Sequence, residues 1–151
     1  MADSLLDPRL IRMPSLAAGE WLNGRSLTSD QLRGQVVLID FWDYTCINCL
    51  RTLPYLKWWH QRYAEHGLVI IGIHTPEFRF ARFRHHLEAA VAEYEIPYPI
   101  LLDNEQQNWS HFATRAWPTK FLIDPDGYIR FKRQGEGYYQ ETERAIQTLL
   151  R

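Results

Sequence analysis

The sequence predicts an α/β domain, a central mixed β-sheet covered by helices on both faces. Three observations predict it. The β-branched and apolar runs 35–42 and 68–73 read as strands buried on both sides. Between them Ile47, Leu50, Leu53, Leu56, Trp59 and Tyr63 recur at near-helical spacing and form one apolar stripe. Further on, Asp124-Pro125-Asp126-Gly127 is a strong turn between two more strand-like runs.

Taken in order, residues 1–18 read as a loose lead-in broken by Pro8 and Pro14, ahead of a single domain over 19–151. Short runs at 20–22 and 26–27, with Asn23-Gly24 as the turn, predict an N-terminal β-hairpin extension. Strand 35–42 leads directly into a helix that Pro54, with no N–H to donate, should kink and Gly67 should end. Strand 68–73 follows, making a β-α-β unit with a right-handed crossover. A helix over 78–94 is expected to put Phe80, Phe83, Leu87 and Val91 on its apolar side. Short strands at 100–102 and 120–123 flank a helical turn near 107–112. Residues 128–132 return as the hairpin partner, and a helix over 142–150 turns Ala145, Ile146, Leu149 and Leu150 inward.

Composition narrows the function. A chain of 151 residues suits one core. Its 46% hydrophobic and 23% charged residues fit a soluble globular domain rather than a disordered one. No apolar run approaches the ~20 residues of a membrane span, so no membrane insertion is expected. The formal net charge of -1 gives no reason to expect nucleic acid. The basic stretch Arg79, Arg82, Arg84, His85 and His86 reads as a solvated helix face rather than a docking patch. Met1 to Leu16 carries no apolar run of the kind that marks a leader peptide. The expected workplace is therefore cytoplasmic as written, with a periplasmic one as the alternative, and the expected state is a monomer.

The chemistry centres on Cys46 and Cys49, the only two cysteines. A Cys-x-x-Cys between a buried strand and a helix puts Cys46 at the helix N-terminus, where unpaired N–H groups and the dipole stabilise a thiolate. Cys49 lies one turn on and can reach back to close a disulfide. Exchange follows: Cys46 attacks a substrate disulfide and Cys49 resolves the mixed disulfide. A zinc site would need four ligands where only this pair exists, and so short a loop makes a poor structural staple. Asp40, in the middle of an apolar strand, is costly to bury there; its raised pKa would suit it to take the proton from Cys49. An edge position facing water is the bland alternative. Trp117-Pro118 is a candidate cis peptide, whose turn could leave backbone groups for an extended substrate.

Together these features resemble the thioredoxin superfamily over nearly all of 20–151. The run Val37-Leu38-Ile39-Asp40-Phe41-Trp42, then Cys46, Cys49 and Pro54, looks like that superfamily's active-site segment, and Pro118 matches its cis-proline. The hairpin, an insertion before the third core strand (75–99) and the run 121–127 point to the TlpA/ResA-like branch. Within it, Thr45-Cys46-Ile47-Asn48-Cys49-Leu50-Arg51-Thr52-Leu53-Pro54, Trp117-Pro118 and Gly135-Glu136-Gly137-Tyr138 are similar to the thioredoxin-like domain of DipZ-type thiol–disulfide oxidoreductases. The resemblance implies a thioredoxin fold, Cys46 as nucleophile, Cys49 as resolving thiol, Asp40 as buried acid–base group, and Trp42, Trp117 and Pro118 as substrate-contacting positions. In those relatives the domain is joined to an electron-carrying membrane segment and works outside the cytoplasm. Two positions depart from thioredoxin: Ile47-Asn48 replaces Gly-Pro, and Thr45 replaces the tryptophan often found before the first cysteine.

The function expected is protein thiol–disulfide exchange, as a reductase. Its partners would be protein or small-molecule disulfides and a thiol or membrane electron donor, with the disulfide itself as the only redox group and no metal or organic cofactor. A peroxidase-like redoxin is one alternative, but the hydroxyl it wants three residues before the reactive cysteine is here Asp43. A non-catalytic binding module using the face of Trp117 is the other.

Overall fold

Val36–Trp42 forms the central strand β3 of the numbering used below, and every one of its residues is buried, as an unbroken β-branched and aromatic run requires. The computed structural model describes residues 5–151; the first four residues of the expected lead-in lie outside that range. In chain order the strands are β1 (Ile11–Arg12), β2 (Trp21–Leu22), β3, β4 (Leu68–His74), β5 (Ile100–Leu102), β6 (Thr119–Ile123) and β7 (Tyr128–Gln134). They make one mixed sheet in the order β1-β7-β6-β3-β4-β5-β2. β3 runs parallel to β4 and antiparallel to β6, β5 adds to β4 in parallel, and β7 closes the antiparallel hairpin on β6. Gly127, at φ 91°, takes the left-handed turn position of that hairpin.

The helices are α1 (Ile47–Tyr63, with Pro54 inside), α2 (Arg84–Glu93), α3 (Gln107–His111) and α4 (Tyr139–Leu150). They are not shared evenly between the faces. Leu53, Leu56 and Trp59 of α1, Leu87 and Val91 of α2, and Ala145 and Ile146 of α4 all join one core with Leu38 and Ile70. The opposite core, around Ile39, Phe41, Ile71 and Phe121, is roofed by the short α3 and by the N-terminal segment through Met13, Leu16, Trp21 and Leu32. That segment does a helix's work.

Its path also corrects the expected N-terminal hairpin. β1 and β2 do not pair with each other: β1 lies antiparallel on β7, with Ile11 opposite Ile129, and β2 lies antiparallel on β5, with Trp21 opposite Leu101. No strand forms at 26–27. Asn23-Gly24 does turn, at φ 60° and 150°, but Asn23 spends its amide on the carbonyls of Ile96 and Tyr98, so the chain is tied to the insertion rather than to itself.

The insertion between β4 and β5 differs too. The single helix expected over 78–94 is a 3-10 turn, Arg79–Arg82, then α2. Phe83 has extended backbone (φ -73°, ψ 122°) and breaks the continuity. Phe80 and Phe83 are half exposed with Phe78, while only Leu87, Ala90 and Val91 of the helix reach the core. The two phenylalanines matched the helical period but had no core in front of them.

Candidate active site

The alternation of β3 aims Leu38, Asp40 and Trp42 at the face carrying α1, and the strand ends under that helix's first turn. Cys46 is the N-cap of α1, and its sulfur accepts the Cys49 N–H at 3.2 Å. Both cysteines are free thiols, Cys46 half-buried and Cys49 fully buried. The thiol of Cys49 and the backbone N–H groups of Cys49 and Asn48 all favour a charged Cys46 and hold its pKa down to about 7, against burial and the charge of Asp43. Burial pushes the Cys49 thiol far the other way, helped by its contact with Cys46 and by the charge of Asp40. One turn of helix therefore holds a ready thiolate and a sealed thiol. Ile47, between them, points to solvent.

Asp40 is wholly buried, and neither carboxylate oxygen has a hydrogen-bond partner among the described residues. The edge-of-strand alternative is thus absent. Lys120, directly opposite on β6, brings its Nζ to 3.6 Å of Oδ1. Burial raises the Asp40 pKa to about 6, with Lys120 limiting the rise. Across the site, the Trp117–Pro118 peptide bond is cis, and the Trp117 carbonyl lies 3.8 Å from the Cys46 sulfur. The Trp117 ring is half-buried, donating Nε1–H to the Thr75 carbonyl at 2.8 Å and packing on Trp109 at 4.1 Å. Pro118 is buried and its carbonyl accepts the Gly135 N–H, so the backbone left facing Cys46 is that of Trp117.

Trp42 needs a correction. Expected to contact substrate, it is 1% exposed, with its ring edge-on to His74. Strand alternation turns it inward beneath the motif, where a substrate cannot reach it.

Asp43 stands in the sequence reading only as a departure from a peroxidase pattern, and His74 is not named there. Asp43 and His74 are both wholly buried and joined at 3.1 Å through His74 Nε2. Asp43 also accepts from Thr45 Oγ1 at 2.8 Å, from Thr45 N at 3.3 Å and from Glu77 N at 2.9 Å. Its carbonyl accepts from Cys46 N at 3.1 Å. The available signal was positional: strands in parallel register end together, which brings the residue after β3 to the last residue of β4. Among the described residues no group of three or more His, Cys, Asp or Glu is placed to hold a metal ion. No helix there is long and apolar enough to cross a membrane.

A family model described as the AhpC/TSA family matches residues 12–132. Protein DipZ of Mycobacterium bovis is 43% identical over 133 residues, covering 86% of this chain and 19% of DipZ. Thiol-disulfide oxidoreductase ResA of Bacillus cereus is 28% identical over 127 residues, covering 80% of this chain and 70% of ResA. The crystal structure of a thioredoxin-like superfamily protein superimposes with a TM-score of 0.87 at 26% identity, over 93% of this chain and 96% of the other. The fold is thus the thioredoxin fold, as the resemblance implied, and these relatives together with the Cys46–Cys49 pair support thiol–disulfide exchange. The chain spans about a fifth of the length of DipZ.

Proposed function

The chain belongs to the AhpC/TSA family, and from that premise we propose that it is a protein thiol–disulfide oxidoreductase working as a reductase. The observation that carries the reading is the opposite tuning of two thiols on one helical turn. The Cys46 thiolate attacks one sulfur of a substrate disulfide, and the other sulfur leaves as a thiolate and takes a proton from water. Asp40, ionised above its pKa of about 6, accepts the Cys49 proton. The Cys49 thiolate then attacks Cys46, releasing the second substrate thiolate and leaving a Cys46–Cys49 disulfide. Two electrons pass from the protein to the substrate, and a thiol or membrane-borne donor restores the dithiol. The Trp117 ring and carbonyl, beside Cys46, form the platform for the substrate chain. The kinship with DipZ supports an extracytoplasmic workplace. Asp43, a buried carboxylate where a peroxidase would carry a hydroxyl, argues against peroxide as the oxidant.

Reduction of insulin disulfides tests the proposal. Cys46→Ser should abolish turnover, and Cys49→Ser should accumulate a mixed disulfide visible by mass spectrometry. An unchanged rate in Cys46→Ser would refute it.

A further inference from the structure

We infer that Asp43 is a positioning residue that sets the redox poise of the Cys46–Cys49 pair and holds it toward the reducing end. The inference rests on the thiol–disulfide reading above.

The carboxylate is wholly buried and gathers four donors: the N–H and hydroxyl of Thr45, the N–H of Glu77, and Nε2 of His74. None belongs to a lysine or an arginine. A carboxylate only accepts, so His74 donates from Nε2. Its Nδ1 has no partner among the described residues, and the ring is stacked on Tyr44 at 5.5 Å with Trp42 against its edge. Against burial, the bonds from His74, Glu77 and Thr45 hold the Asp43 carboxyl below the usual carboxylate range, so it is a carboxylate at neutral pH. Tyr44, stacked on His74, and Glu77, bonded to Asp43 through its N–H, add no lysine or arginine charge to the cluster.

This charge lies in the loop that delivers Cys46. The Asp43 carbonyl holds the Cys46 N–H, and the charge opposes a thiolate there. Only the dithiol state contains a thiolate; the disulfide has no charge to repel. Conversion of the disulfide to the dithiol takes up two electrons and two protons, one of which the thiolate releases near its pKa. A fixed negative charge beside Cys46 penalises that reduced state alone, so the dithiol gives up its electrons more readily. The helix N-terminus pulls the other way. Asp43 is thus a counterweight to the helix, and it sits where β3, β4 and the insertion converge.

The sign separates this role from a merely structural one. Loosening the 43–46 loop would weaken the N–H contacts to the Cys46 sulfur and raise its pKa, whereas removing only the charge lowers it. Asp43→Asn, with Asp43→Thr as a second neutral variant, should be equilibrated in graded glutathione buffers and quantified by thiol trapping. Melting curves from circular dichroism would verify folding. The constant for forming the dithiol should rise three- to tenfold, equivalent to about 15–30 mV, and the midpoint of Cys46 alkylation should move to lower pH. An unmoved constant in a folded variant, or movement toward the disulfide, overturns the inference. Insulin reduction by the unmutated protein, run in parallel, separates the two readings. Failure there with a shifted constant in Asp43→Asn would strike the reductase assignment alone.

Discussion

Replacing Asp40 with Asn should make the protein more stable and a poorer catalyst. The folded carboxyl titrates near pH 6 against 3.8 for its unperturbed value. That rise corresponds to about 3 kcal/mol that the ionised state costs the fold. The folded chain holds this proton more tightly than the unfolded chain does. Stability therefore falls as pH rises from about 4 to 6, and above that window the full cost is present. Asn carries no charge and escapes it. The attraction of Lys120, 3.6 Å away, is already contained in that figure, because it limits the rise. The gain is therefore up to about 3 kcal/mol, or roughly 6–12 °C in melting temperature for a chain of this size. Thermal melts of both reduced proteins at pH 7.5 and at pH 3.5 measure it. The variant should lead at the higher pH and lose most of its advantage at the lower, where the wild-type carboxyl is protonated in the folded state and largely so in the unfolded one. Insulin turnover should drop roughly 100-fold with the loss of the proton acceptor. A variant no more stable at pH 7.5, or equally favoured at both pH values, would refute the account of Asp40 as a destabilising buried charge.

Alkylation by iodoacetamide should rise through a midpoint near pH 7 and level off by about pH 8.5, because Cys46 ionises near 7. Cys49 should stay unmodified until the protein is denatured, which peptide mapping after each time point would establish. Gly72→Ala should lower stability by about 1–3 kcal/mol through overpacking. Its methyl would sit 2.8 Å from Cδ1 of Ile100 and 2.9 Å from Nε1 of Trp42. Since the φ of Gly72 is not positive, the loss read in a melt is steric, and a variant as stable as the parent would show that β4 and β5 can separate.

What could be read in advance was whatever local chemistry decides. The run 36–42 has too many β-branched and aromatic residues to be anything but a buried strand, and Asp40 stands out within it as the one group that such burial penalises. Cys46, Cys49 and Pro54 declare themselves by spacing. Trp42 was misjudged because adjacency to the motif in sequence says nothing of direction, which the two-residue period of the strand decides. Phe80 and Phe83 fit a helical stripe, yet their neighbours supply no core on that side. The Asp43–His74 pair depends on a parallel register between strands about thirty residues apart, and no local pattern encodes that. β1 and β2, two residues each, carry no periodicity of their own; their partners on β7 and β5 select them.

The N-terminal segment has one more consequence, in the order of events during synthesis. It emerges from the ribosome before every other part of the fold, but Ile11 and Arg12 dock on β7, near residue 129, among the last strands to be made. Asp7 and Met13 likewise bond to Arg130 and Gly127. Until β7 exists, the apolar side around Phe41 and Phe121 lacks the part of its roof that Met13 supplies, and the β6 rim of the nascent sheet can accept a stray chain. Contacts spanning so much sequence form slowly. The growing polypeptide is therefore most prone to wrong partners while β6 and β7 are being completed, and the docking of this strap is the event that ends the exposure.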